Sequence, residues 1–588
     1  MAVTENKTCQ HCKIKFAIEP EDFLFYQKLN VPPPTWCPQC RFARRLRFWN
    51  EHHLFRKKDA LTGKEIFSEY SEHSPFKIYE HDYWLSDAWP GGLEYGRDYD
   101  FSKPFFEQFQ QLMLDVPWPS RSIQQITTSD YSNQAARVKN CYLCFNCNSS
   151  EDCLYGVAFF GCKQCMDIYQ ADDNELSYEI FNTDHSYNTK FSVNSSNCRD
   201  SWFLFGCSDC TSCFGCVNVK HAKYQIFNVP YTKEEYEKKI KAMNLGSHSA
   251  LQTAKKRAQD FWKTHPVKYM HTNLVTNVRG GDYVYHAKNA RYCYQAVDLE
   301  NCAYVQDVAR GASECMDFTN WSEHSELMYE AAVCGEDCAR VKFSFECWPG
   351  CTDIEYTANC RSSSNLFGCV GLNKKQYCIF NKQYSKEEYE ALVPKIRAQM
   401  AEMPYTDSQG RVYTYGEFFP PEFSGYAYNE SSAMDYYPLE KEAALKHEYR
   451  WVEAHPREFH VTMQPEDLPD HIEDSSEDIL KQVIACETCK RAYRIVAMEL
   501  QLLQRFEIPL PRKCHNCRFL ERRALRTPYE WHQRTCDCGG VNSKKGSYKN
   551  IAAHDHADKS CANTFESPYD LTRPEIVYCE ACYQQEVV

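Results

Sequence analysis

No run of apolar residues in this chain approaches the roughly 18 needed to cross a bilayer, so no membrane-spanning helix is predicted. Met1 to Gln10 carries no apolar stretch of the secretory type, and a cytoplasmic chain is expected. Catalytic signatures are missing as well. There is no G-x-S-x-G, H-E-x-x-H, phosphate-binding loop or G-x-G-x-x-G, and no βαβ alternation. No catalytic residue and no nucleotide cofactor is therefore assigned. Basic residues are in deficit, with 67 Lys plus Arg against 80 Asp plus Glu and a net charge of -13. That balance argues against a protein coating nucleic acid with its whole surface, but it permits focused basic patches.

What is abundant is cysteine. A chain of 588 residues predicts three to five domains, and this one carries 34 cysteines. In a reducing compartment these are metal ligands or buried thiols rather than a disulfide framework. Cys9-x-x-Cys12 is followed by Cys37-x-x-Cys40, and Cys486-x-x-Cys489 by Cys514-x-x-Cys517, with the same gap in both. Two knuckles so spaced suit a tetrahedral four-thiolate zinc site, whose formation and local folding are one event worth about 10–16 kcal/mol.

The two segments match beyond the ligands at an offset of 477: Cys40-Arg41-Phe42 lies against Cys517-Arg518-Phe519. Cys9, Cys12, Phe16, Phe25-Tyr26, Pro34, Cys37, Cys40-Arg41 and Arg44 resemble the small "probable zinc-ribbon" module over residues 7–47, and residues 484–524 resemble it more loosely. A second zinc site is expected in the C-terminal module from Cys536, Cys538, Cys579 and Cys582, with Cys561, His554 and His556 competing for one place. Three zinc ions per chain are thus predicted. The N-terminal counterparts, aligned as Asp59, Thr62, Glu80 and Tyr83, could not hold zinc structurally.

A second duplication fills the middle. Phe214-Gly215-Cys216-Val217 recurs as Phe367-Gly368-Cys369-Val370, and Tyr224 to Asn228 recurs as Tyr377 to Asn381, at an offset of 153 that drifts to 149–151 upstream. Within it Cys141, Cys153, Cys165 and Ser177 fall at intervals of 12, and many cysteines follow Asn or Asp, as in Asn140-Cys141 and Asp152-Cys153. The second half keeps a looser beat through Asn301-Cys302, Glu314-Cys315, Asp337-Cys338 and Asn359-Cys360. Short strands ended by turn residues at such a period predict a stacked parallel β-solenoid. Its cysteines are read as small interior residues. Strand alternation should point i and i+3 to opposite faces and so deny chelation to local C-x-x-C pairs. Thr232 to Glu235 and Ser385 to Glu388 are capping boxes that open helices.

The predicted fold is mostly β with α: a parallel solenoid core with a helical hairpin insert, flanked by zinc-ribbon or treble-clef-like modules. The expected segments are 1–90 (zinc module), 91–129 (connector), 130–230 (first solenoid half), 231–281 (helical insert), 282–383 (second half), 384–470 (helix and Tyr/Pro-rich connector) and 471–588 (zinc module). This order resembles an uncharacterised family of ultrasmall, reduced-genome bacteria. A CaiB/BaiF-like CoA-transferase label sometimes given to that family finds no support in these residues.

Two function classes remain. One is a non-enzymatic zinc-binding scaffold with a protein partner. The other is RNA or DNA binding through Arg41, Arg44, Arg45, Arg47, Arg518, Arg522, Arg523 and Arg526, which cluster at the second knuckles among aromatics. A third, minor reading takes Asp172, Asp173 and Glu175 as paired carboxylates of a glycan-cleaving solenoid.

Overall fold

The computed structural model describes residues 4–308, 311–319, 327–332, 335, 340–347, 350–453 and 459–588. The chain divides into two units, Met1–Arg121 with Met270–Glu453, and Ser122–Tyr269 with Ala454–Val588. Each unit holds one cysteine-knuckle module and one solenoid half.

The solenoid of the second unit pairs Val157 with Tyr169, Tyr169 with Phe181 and Phe181 with Val193, all parallel and 12 residues apart. The stack begins at Ile123–Gln124, which pairs with Asn133–Ala136, earlier than residue 130. Its geometry is not that of a flat strand. Every third residue is left-handed, through Asn140, Leu143, Asn146, Ser149, Asp152 and Tyr155, with φ of 48–55°. The residue after each corner points inward, so Cys141, Cys144, Cys147, Ser150 and Cys153 are all buried on one axis. This corrects the expected alternation: i and i+3 share the interior because a corner intervenes between them. It also explains why Asn and Asp precede cysteine, since they tolerate the left-handed region best.

A left-handed non-glycine residue costs about 1–2 kcal/mol, and corner side chains recover part of this by stacking from coil to coil. Asn140 donates to Asp152 at 2.7 Å and Asn182 to Asn194 at 2.8 Å. The Phe191 and Phe203 rings lie parallel with centroids 4.8 Å apart. Interior cysteines fit because they are small and still donate. Cys144 Sγ reaches the Cys153 carbonyl at 3.3 Å, and Cys153 Sγ reaches that of Cys162 at 3.5 Å. Burial holds the Cys147 and Cys369 thiols well above their ordinary pKa, which keeps them protonated and inert.

The solenoid half of the first unit starts at Thr272–Asn273, paired with Val284 and Tyr285, ahead of residue 282. It includes 13-residue coils, Leu299 against Ala312 and Phe345 against Ala358, which account for the drifting repeat offset. Asp337 and Cys338 lie outside the described residues. Both halves end alike. A strand folds back antiparallel, Ile226 on Val229 and Ile379 on Lys382, and a capped helix follows, Lys233–Ala242 or Lys386–Glu402. A second helix, His248–Trp262, packs Trp262 on Phe205 of the first half at 5.4 Å.

The Tyr/Pro-rich stretch docks through its aromatics. Phe418 and Phe419 are fully buried against Phe48 and Phe109 at 5.4 and 5.3 Å. Among the described residues no helix is long and apolar enough to cross a membrane.

Candidate metal centres

Each module opens with a hairpin, Glu5–Thr8 with Lys15–Ile18 or Ile484–Ala485 with Ala492–Tyr493, that turns at the first knuckle. Lys13 and Lys490 take the left-handed turn position in both. A helix follows, Pro20–Leu29 or Ala497–Phe506, and then a second helix, Pro38–Leu46 or His515–Arg523, with Cys37 or Cys514 at the position just before its first turn. The second pair of thiols thus sits at a helix N-terminus, where backbone N–H groups favour negative charge. This hairpin-plus-helix-end arrangement is the treble-clef type.

Cys9, Cys12, Cys37 and Cys40 converge, as do Cys486, Cys489, Cys514 and Cys517, with each set's sulfurs within 4.8 Å of one another. Cys12 to Cys37 is 3.8 Å, Cys486 to Cys517 is 3.7 Å and Cys489 to Cys514 is 3.8 Å. A tetrahedron of metal–sulfur bonds near 2.3 Å has an edge of ~3.8 Å, so the cages match such an ion. The N–H groups of Cys37 and Cys514 donate to Cys9 and Cys486, each at 3.3 Å. Burial acts to raise the Cys486 thiol, yet N–H donors from Cys489 and Cys514 prevail and bring it down to about 7.

The third cage corrects the expected ligand set. Cys536, Cys561, Cys579 and Cys582 converge, all buried, while Cys538 belongs to a fourth group with His554, His556 and Cys582. Cys561, read as an alternate, is a full member. The reason lies in hairpin register. His532–Thr535 pairs with Thr564–Ser567 as Phe55–Lys58 pairs with Glu65–Ser68. Phe55 matches His532 at an offset of 477, whereas Glu65 matches Thr564 at 499, so 22 residues are inserted between the strands. Thr62 therefore corresponds to Cys561, not to Cys538. Sequence spacing alone could not place that insertion.

The N-terminal counterpart keeps the same frame without thiols. Ala60 N–H donates to the Ile78 carbonyl at 2.8 Å, as Asp537 does to Val577 at 2.9 Å. Ile78–Tyr79 pairs in parallel with Trp118–Pro119, as Val577–Tyr578 does with Val267–Lys268. Asp59 accepts from the Thr62 N–H at 3.0 Å and its hydroxyl at 2.5 Å, and Glu80 accepts from Asp82 and Tyr83 N–H at 2.8 and 3.2 Å. Here carboxylates accept from the N–H groups of both turns, which are held by hydrogen bonds.

The arginines turn inward, which overturns the expected basic face. Arg41, Arg44, Arg45 and Arg47 are at most 5% exposed. Arg41 Nε donates to Asp317 at 2.5 Å, Arg44 grips Glu330 with both oxygens at 2.7 Å, and Arg45 reaches Thr319 and Gln306 at 2.9 and 3.0 Å. The Arg47 guanidinium lies 3.8 Å over the Tyr449 ring. In the other unit Arg518 and Arg522 hold the two oxygens of Asp167 at 2.8 and 2.9 Å. Arg523 is half-buried, and so is Arg526, whose guanidinium is 3.3 Å from the Tyr169 hydroxyl.

These contacts repeat position by position. Arg41 with Asp317, Tyr304 and the neighbouring Asp22 in one unit corresponds to Arg518 with Asp167, Tyr155 and Glu499 in the other. The module offset of 477 and the solenoid offset of 149–150 meet at one interface. No family model and no curated protein matches the chain.

The minor enzymatic reading meets a local stack of acids. Asp172 N–H donates to the Asp184 carboxylate of the next coil at 2.9 Å. Asp173 and Glu175 are exposed. Sequence reasoning missed Asp184, although it follows Asp172 by one 12-residue coil.

Proposed function

We propose that the chain is a zinc-binding scaffold, with each metal module clamping one solenoid stack and the solenoid faces left to engage a protein partner. The observation that carries this is the repeated buried ion pair, Arg41 with Asp317 and Arg518 with Asp167, which directs the cations of each knuckle helix into its own solenoid half. A buried cation is held by geometry that the adjacent cage fixes, because Cys40 and Arg41, and Cys517 and Arg518, are consecutive. Zinc is the ion favoured by four converging thiolates in a tetrahedral cage. Cysteines gathered as candidate metal ligands or buried as thiols suit a reducing compartment such as the cytoplasm.

The test is affinity capture of the full chain from its native host together with elemental analysis. Stoichiometric zinc and a specific protein partner are expected. Salt-dependent binding of RNA or DNA, or iron in place of zinc, would replace this reading.

A further inference from the structure

We propose that the third and fourth ligand groups form one binuclear metal centre, in which the Cys582 thiolate bridges two ions. The proposal rests on the metal-bearing reading above and adds an ion to it. Cys582 is the only residue common to Cys536/Cys561/Cys579/Cys582 and Cys538/His554/His556/Cys582. A thiolate has lone pairs for two metals, and seven residues then give two ions four ligands each.

The fourth group has the geometry of a built site. Cys538 Sγ lies 3.6 Å from His554 Nδ1, and Cys582 Sγ lies 3.3 Å from His556 Nε2. A tetrahedral ion bound to sulfur at ~2.3 Å and nitrogen at ~2.05 Å has a sulfur–nitrogen edge of ~3.6 Å. Both imidazoles are oriented from behind. His554 Nε2 is 2.9 Å from Glu586, and His556 Nδ1 is 2.6 Å from the Lys559 carbonyl. Those partners fix the tautomers that leave Nδ1 of His554 and Nε2 of His556 facing the thiols, as ligating histidines require. Glu586 is itself buried and also accepts from Ile551 and Ala552 N–H at 2.7 and 3.2 Å, pinning the loop that carries both histidines.

Both histidines lie in the 22-residue insertion that the N-terminal module lacks, and Cys538 opens it. The inserted loop therefore brings a soft S₂N₂ site to the edge of an S₄ cage. The ion class is a borderline-soft divalent metal such as Zn²⁺.

The full-length protein, purified with zinc, should contain four zinc ions per chain by elemental analysis. The paired variant His554→Ala/His556→Ala should contain three, and Cys582→Ser two. In the cobalt(II)-substituted protein a shared sulfur couples two ions magnetically. The magnetic moment per cobalt should therefore be lower in wild type than in the histidine pair variant, a readout that does not depend on Cys582→Ser folding. Three zinc ions in both wild type and the histidine variant, or equal moments per cobalt, would overturn the bridge while leaving the scaffold reading intact. A protein without zinc would overturn both.

Discussion

Arg41 and Arg518 each meet a buried carboxylate far along the chain, at separations of 276 and 351 residues. Each guanidinium is buried on a carboxylate, Asp317 or Asp167, and stacks on a tyrosine, 5.6 Å from Tyr304 or 5.1 Å from Tyr155. Removing one partner strands the other charge in the interior, which costs about 3–5 kcal/mol. Arg41→Ala and Arg518→Ala should each lower stability by that amount in denaturant titrations, with little change in zinc content. A loss under 1 kcal/mol would mean that water reaches these pairs.

Asp184 gives a pH-dependent prediction at the same scale. Burial and the stacked Asp172 carboxylate push its pKa up to about 7 from an ordinary value of 3.8. The folded state then holds a proton that the unfolded chain has lost, so this contribution is complete below about pH 4 and vanishes as pH rises through about 7. Asp184→Asn should flatten that decline and raise the melting temperature at pH 8 relative to wild type. Parallel melting curves for the two proteins across pH 5–8 would refute the assignment.

At the scale of the element, the hairpin Phe55–Lys58 with Glu65–Ser68 and the helix start at His81 share the frame of the C-terminal cage without its thiols. The frame predicts its own repair. Asp59→Cys, Thr62→Cys, Glu80→Cys and Tyr83→Cys together should create one further zinc site, detected as one additional equivalent in elemental analysis. An unchanged metal content would show that the two turns no longer approach closely enough. The solenoid coil makes a matching point about thiols. Its described cysteines are buried in the interior, so labelling by a soluble thiol reagent should be slow in the native protein and rise sharply on unfolding. Rapid native labelling of the solenoid thiols would contradict the interior placement.

At the scale of the whole molecule, chain order and structural unit are interleaved: the N-terminal module belongs with residues Met270–Glu453, and the C-terminal module with Ser122–Tyr269. Truncation after residue 470 would therefore remove the partners of Asp167 and of the strand Pro266–Lys268. Hydrogen exchange should accelerate through residues 122–269, while residues 270–308 keep their protection, although both belong to the same repeat. Acceleration in residues 270–308 instead would mean that sequence order, not the unit, sets cooperativity.

Much of this was legible in local spacing. The knuckles at Cys9 and Cys486, the capping boxes at Thr232 and Ser385, and the 12-residue beat through Cys141 and Cys153 are short-range patterns set by backbone geometry. Such patterns survive in one dimension. The three-residue corner was also present, as a small residue at Cys141, Cys144, Cys147, Ser150 and Cys153, but it was hidden by assuming flat strands.

What only the tertiary structure decided are the pairings across long loops: Arg41 with Asp317 at a separation of 276 residues, Arg518 with Asp167 at 351, and Cys561 with Cys536 around an inserted loop. Whether a charge is a surface patch or a buried clamp depends on the partner's arrival in space. Local propensity carries no information about that arrival, because the energy that fixes it is the desolvation and pairing of groups the chain brings together only when folded.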